Sequence, residues 1–194
     1  MAKLSNTSEE ILACARGLIV AGGYNAFSYA DIADVVGIRK ASIHHHFPNK
    51  ADLVKALVVQ HRQATEEGLG NLRHAIPDAM GQLRAYVGYW EQCISDLSAP
   101  FCICALLAGE LPVLPAEIAV EVRAYFRFLS GWMASVLEQG MREGTVRSVN
   151  GPQVEAEVLM ASIHGAMLSA RAYGDVAVFA TVAESQLARY STES

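Results

Sequence analysis

The stretch from Ser28 to Phe47 limits the fold more than any other. It reads Ser-Tyr-Ala-Asp-Ile-Ala-Asp-Val-Val-Gly-Ile-Arg-Lys-Ala-Ser-Ile-His-His-His-Phe. Ser28-x-x-Asp31 has the form of a capping box, and it predicts a short helix ending near Val36. Gly37 can take the positive φ of a sharp turn. A second short helix is predicted from about Arg39 to His46. Ala33 is small where the two helices would cross, and Ile32, Val36, Ile38 and Ile43 supply a shared core. This is the pattern of a helix-turn-helix, whose second helix enters the major groove of DNA. Arg39, Lys40, Ser42, His44 and His45 fall on the solvent side of that helix, as donors for phosphates or base edges. An ordinary helical hairpin with a basic surface would share the pattern, so the rest of the chain must decide.

Helical periodicity continues almost throughout. Ile11, Leu12, Ala15, Leu18 and Ile19 form one face of a first helix, with Ser8 as its expected N-cap and Gly22-Gly23 as its end. Asn49 is the expected cap of a long helix towards Arg73, and Pro77-Asp78 opens another that fades near Ser98-Ala-Pro100. Phe101 to Gly109 is apolar all round and reads as a buried helix, with Cys102 in its first turn. Leu111-Pro-Val-Leu-Pro115 is a connector. A further helix carries Ile118, Val122, Phe126, Leu129, Met133, Val136 and Leu137. The next, about 153–173, is rich in small residues, and a last helix follows at about 175–190. The expected fold is all-α, with no strand. It comprises an N-terminal three-helix helix-turn-helix DNA-binding domain at 1–50 and a larger helical effector-binding and dimerisation domain at 51–194.

Charge is unevenly spread. The 194 residues sum to −5, yet residues 1–62 hold seven Lys/Arg against five Asp/Glu. A mildly basic head on an acidic body points to a polyanionic partner for the head alone. No apolar run approaches the ~18–20 residues that span a bilayer. The polar, acid-bearing start is unlike a secretory signal. A cytoplasmic protein with no membrane partner is expected. The four cysteines, Cys14, Cys93, Cys102 and Cys104, show neither C-x-x-C nor zinc spacing. His44-His45-His46 cannot chelate one ion together, because consecutive helical residues diverge by ~100°. No metal and no cofactor are expected. No nucleophile elbow, P-loop, dinucleotide glycine turn or H-E-x-x-H is present, which argues against an enzyme; His164 with Glu155 or Glu157 lacks a nucleophile.

The run Gly37-Ile-Arg-Lys-Ala-Ser-Ile-His-His-His-Phe-Pro-Asn-Lys50-Ala-Asp-Leu53 resembles the signature of the TetR family of bacterial repressors. In that family a Phe-x-x-Lys follows the second helix. The resemblance covers the N-terminal ~60 residues and implies a set of contacts. Ser28 and Tyr29 would touch the DNA backbone. Lys40, Ala41 and Ser42 would face base edges. His44 would meet phosphate where the family usually has Tyr, and Lys50 would meet phosphate at the start of the fourth helix. It also implies a homodimer in which the last two long helices form a four-helix bundle with their mates. So few basic residues would need two heads acting together on a near-palindromic double-stranded operator. From the residues alone, the small-residue helix and the 118–137 stripe are the natural dimer surface, or they close the chain's own core.

The family's second domain holds a ligand, which implies a small organic or electrophilic effector and release of a repressor from its operator. Tyr86, Trp90, Phe101, Phe126, Met133, His164 and Met167 are candidate lining residues, though each would serve equally as plain core. Phe101-Cys102 through Glu110 resembles a subgroup with a Gly-Cys-Leu start and an acid eight positions on, with Phe101 here in place of Gly. Some members of that subgroup sense electrophiles or oxidants through the cysteine. The alternative is therefore a regulator that senses through Cys102 rather than a non-covalent ligand. A rival reading of the whole chain is a helical interaction module that has lost DNA binding.

Overall fold

Helical segments dominate because apolar residues recur at three- and four-residue spacing with few internal prolines. A computed structural model describes residues 6–96, 101–147 and 150–192. Among the described residues there are nine α-helices. These are α1 (Asn6–Gly22), α2 (Tyr29–Val36), α3 (Lys40–His46), α4 (Lys50–Ala75), α5 (Ala79–Ser95), α6 (Ile103–Gly109), α7 (Ala116–Glu143), α8 (Pro152–Tyr173) and α9 (Ala177–Tyr190). The extended structure among them is an isolated bridge between Val146 and Ser191. Ser98 to Pro100, where α5 was expected to fade, lie outside the described residues.

The chain divides into two compact units. One is Met1–Gln63 with Ile103–Tyr125, and the other is Ala64–Cys102 with Phe126–Ser194. In the first, Ile11, Leu12, Ala15 and Ile19 of α1 are buried with Ile32 and Ala33 of α2, Ile43 of α3, and Leu53, Val54, Leu57 and Val58 of α4. The expected N-cap Ser8 is instead buried inside α1, which already begins at Asn6. Asn49 does cap α4. Its side chain accepts from the Asp52 N–H at 2.9 Å and donates to the Asp52 carboxylate at 2.6 Å. Arg62 pairs with Glu121 at 3.3 Å, and His61 stacks on Tyr125 with ring centres 5.2 Å apart.

Between α1 and α2 the chain makes a tight corner. Gly23 has φ 87, and a single 3-10 turn covers Tyr24–Ala26. The Tyr24 N–H has left the helical ladder and donates to the Glu110 carboxylate, beyond the end of α6, at 2.8 Å. Lys50 Nζ lies over the Tyr24 and Phe27 rings at 4.8 and 4.0 Å and donates to the Phe27 carbonyl.

In the second unit, α5, α8, α9 and the second half of α7 bury one another's apolar faces. Asp78 caps α5 by accepting the Gly81 N–H at 2.6 Å. α8 and α9 also share a buried polar cluster. Tyr190 donates to the Glu155 carboxylate at 3.1 Å while accepting from Gln186 at 2.9 Å, and Asn150 donates to Glu155 at 2.9 Å. Burial pushes the Tyr190 phenol up to about 12, so it stays a donor at any ordinary pH. Of the 118–137 stripe, Ile118 and Val122 in the first unit and Leu129, Met133, Val136 and Leu137 in the second are buried within the chain, while Phe126 is half-buried.

The corner yields a prediction. A Cβ at Gly23 would strike the Glu110 carboxylate that holds the Tyr24 N–H, and the positive φ adds strain of its own. Gly23→Ala is expected to destabilise the protein by about 1–3 kcal/mol, read from urea or thermal unfolding.

Candidate nucleic-acid interface

The turn between α2 and α3 is fixed by backbone chemistry. Gly37 sits in the left-handed region at φ 74 and ψ 31, and its N–H and that of Ile38 both return to the Ala33 carbonyl, at 2.9 and 3.1 Å. At the other end of α2 the expected capping box is present. Ser28 Oγ accepts from the Ala30 N–H at 3.1 Å, and the Asp31 carboxylate accepts from the Ser28 N–H at 2.7 Å. Hydrogen bonds from Ser28 hold the Asp31 carboxyl below its usual range. Arg39 is the residue before α3, and its carbonyl accepts the Ser42 N–H at 2.9 Å.

Ile43 anchors α3 in the core, which turns Arg39, Lys40, Ala41, His44 and His45 to solvent with Ser42 half-buried. A cation, a methyl and a hydroxyl thus follow one another at the start of a helix carried on a buried base. That is the donor and apolar set that reads base edges and phosphates. Ser28 is exposed at the start of α2. Tyr29 is half-buried and donates its hydroxyl to the Phe47 carbonyl at 2.9 Å. Burial, with Asp52 second, pushes that phenol up to about 12, which keeps it a neutral donor. Lys50 is half-buried, and burial lowers its ammonium against the opposing pull of Asp31 and Glu110. Its carbonyl partner takes one of three donors.

The three histidines diverge as their spacing requires. His44 packs edge-on to Tyr29, with ring centres 4.8 Å apart, while His46 turns towards Phe47 at 6.4 Å. His44 Nδ1 is 3.0 Å from the Pro48 carbonyl, and a carbonyl can only accept. The hydrogen therefore sits on Nδ1, and the neutral ring leaves Nε2 as a bare acceptor. Only the protonated ring offers Nε2–H to a phosphate.

The proposed effector residues all fall in the second unit. Tyr86, Trp90, Phe101, Met133 and Met167 are buried, and the half-buried rings of Phe126 and His164 lie 5.3 Å apart. Phe101 carries the Arg171 guanidinium over its face at 5.5 Å. Cys102 and Cys104 are fully buried. Cys102 sits one residue ahead of α6 rather than in its first turn. Two residues gained roles that spacing did not reveal. Glu110, singled out as an acid at a fixed distance from Cys102, holds the Tyr24 N–H instead. Trp132, not singled out at all, buries an indole N–H without a partner.

The described head is a helix-turn-helix with an exposed, donor-bearing second helix, the architecture of a DNA-binding regulator. Residues 11–57 match the family model described as bacterial regulatory proteins, tetR family. A crystal structure of a TetR-family transcriptional regulator from Agrobacterium tumefaciens is 55% identical, with 95% of this chain and 97% of that one covered and a TM-score of 0.93. A TetR regulator from Legionella pneumophila is 29% identical over 95% and 97% of the two chains, with a TM-score of 0.84. The HTH-type transcriptional repressor KstR2 of Rhodococcus jostii is 27% identical over 148 residues, 74% of this chain and 70% of that protein. The chain belongs to the TetR family of transcriptional regulators.

His44→Tyr puts a hydroxyl donor where the neutral ring has only a bare Nε2, and it is expected to tighten operator binding roughly tenfold, measured by fluorescence anisotropy. Unchanged affinity would remove His44 from the interface.

Proposed function

We propose that this protein is a homodimeric, cytoplasmic repressor that leaves its operator when the body takes up a small organic effector. In this reading residues 1–50 read DNA, and residues 51–194 bind the effector and dimerise. The observation that carries the first half is the exposure of Arg39, just ahead of α3, and of Lys40 and Ala41 at its start, set above the buried Ile43. Lys40, Ala41 and Ser42 face base edges. Arg39, His45 and the ends of α2 and α4, through Ser28, Tyr29 and Lys50, hold the backbone.

Dimerisation is supported by the outer face of α8. Val154 and Leu168 are 53% and 59% exposed, and Glu157, Ala161 and Gly165 stand exposed at helical spacing between them. Apolar Val154 and Leu168 at the ends and small Ala161 and Gly165 between them suit close contact with a second copy, with Glu157 held aside by the Ser130 hydroxyl at 2.6 Å. An effector that releases DNA must favour the state whose heads do not fit the operator. Cys102 supplies the second reading. Its thiol lies close enough to the Tyr86 phenol to act on it, and it is fully buried. An electrophile would have to enter the body to reach it. DNA release by an electrophile that survives Cys102→Ser would rule that reading out.

Anisotropy titration with DNA from the protein's own upstream region tests the main reading. Lys40→Ala and Ser42→Ala should each weaken binding by about 5- to 150-fold. Leu168→Glu should give a monomer in sedimentation and lose most of the affinity with it. A dimer that persists, or affinity that ignores Lys40, would sink the corresponding half.

A further inference from the structure

Among the described residues of the body, five buried side-chain polar atoms lack a partner; Gln82 Oε1 and His164 Nε2 are two of them, and the other three are donors that cluster together. Tyr86 on α5 is 5% exposed, Trp90 one turn later 3%, and Trp132 on α7 8%. Among the described residues, the Tyr86 hydroxyl and both indole N–H groups lack a hydrogen-bond partner. Buried polar groups are nearly always satisfied, and each exception calls for a cause. These three are neighbours. The Tyr86 and Trp132 rings lie 5.5 Å apart. The Trp90 N–H is near enough to the phenol oxygen to influence it without forming a hydrogen bond of ordinary geometry.

The surroundings of the cluster select the chemistry. Two indoles and a phenol present apolar faces, so the complementary molecule is largely apolar. An indole N–H can only donate, so that molecule must bring an acceptor. Tyr86, Trp90 and Trp132 are all neutral donors, so a carboxylate held by them would carry an uncompensated charge, whereas a neutral carbonyl needs none. We propose that Tyr86, Trp90 and Trp132 form the recognition point for an uncharged, largely apolar organic molecule that presents a carbonyl oxygen. This rests on the reading that the body holds an effector, and it names the effector's class.

The first test needs no ligand. If the hydroxyl is an orphan in the free protein, Tyr86→Phe removes an unsatisfied group and raises Tm by about 2–4 °C. A lowered Tm would mean that the hydroxyl is already satisfied, by a buried water or otherwise, and would overturn the proposal. The second test uses calorimetry with 2-alkanones of eight to twelve carbons, the matching 2-methyl-1-alkenes and the matching carboxylates. The ketone should bind at least about tenfold tighter than the alkene of the same shape, and tighter than the carboxylate. Tyr86→Phe and Trp132→Phe should narrow that preference and leave alkene binding unchanged. Equal binding of ketone and alkene, preference for the carboxylate, or no binding by any member overturns the proposal. Operator release separates the two readings. Ketone binding with selectivity but no release keeps the site and removes the effector role. Release by compounds regardless of their oxygen keeps the effector role and removes this site.

Discussion

The head is held in shape by one carboxylate accepting one backbone N–H. When the chain leaves α1 at Gly22 it turns too sharply for the Tyr24 N–H to find a helical acceptor, and Glu110, from a segment 86 residues away in sequence, supplies one at 2.8 Å. An unpaired N–H at that depth would be costly. The same corner carries Lys50 over the Tyr24 and Phe27 rings, so the start of α4 and the approach to α2 are tied through a cation and two aromatic faces. With both ends tied, the Ser28 cap and the Gly37 turn can present α3 in a single orientation. Residue 23 must lack a side chain because its backbone, at φ 87 and ψ −176, favours glycine, and the closeness of the Glu110 carboxylate adds to that requirement.

Most of the helical framework was legible because its signals are local. Ser28-x-x-Asp31, Gly37, Asn49 and Asp78 each act on groups within a few residues, and the structure uses them as their chemistry suggests. Ser8 misled because a serine one turn into an amphipathic helix looks like a cap when the residues ahead are also polar; burial inside α1 decides otherwise. The 118–137 stripe showed an apolar face, but periodicity does not say whether a face meets its own chain or another.

The interface was legible where exposure follows from spacing. Once Ile43 is fixed inward, Lys40, Ala41 and His44 must face out. The long-range partners were not. Nothing near Glu110 in sequence hints at Tyr24, and nothing near His44 fixes its tautomer except the Pro48 carbonyl that folding brings to 3.0 Å. The body was the least legible. Tyr86 and Trp90 were suspected from type and spacing, but the property that sets them apart is a lack of partners, which a sequence cannot express. Trp132 escaped notice for the same reason.

Trp90 and Trp132 are also the chain's two tryptophans. Indole emission from this protein therefore comes wholly from the body, within a few ångströms of Tyr86, and the DNA-reading helices contribute none of it. The fold carries its own optical label on one side. Light absorbed at the red edge of the aromatic band interrogates the body alone, while the helix-turn-helix stays dark.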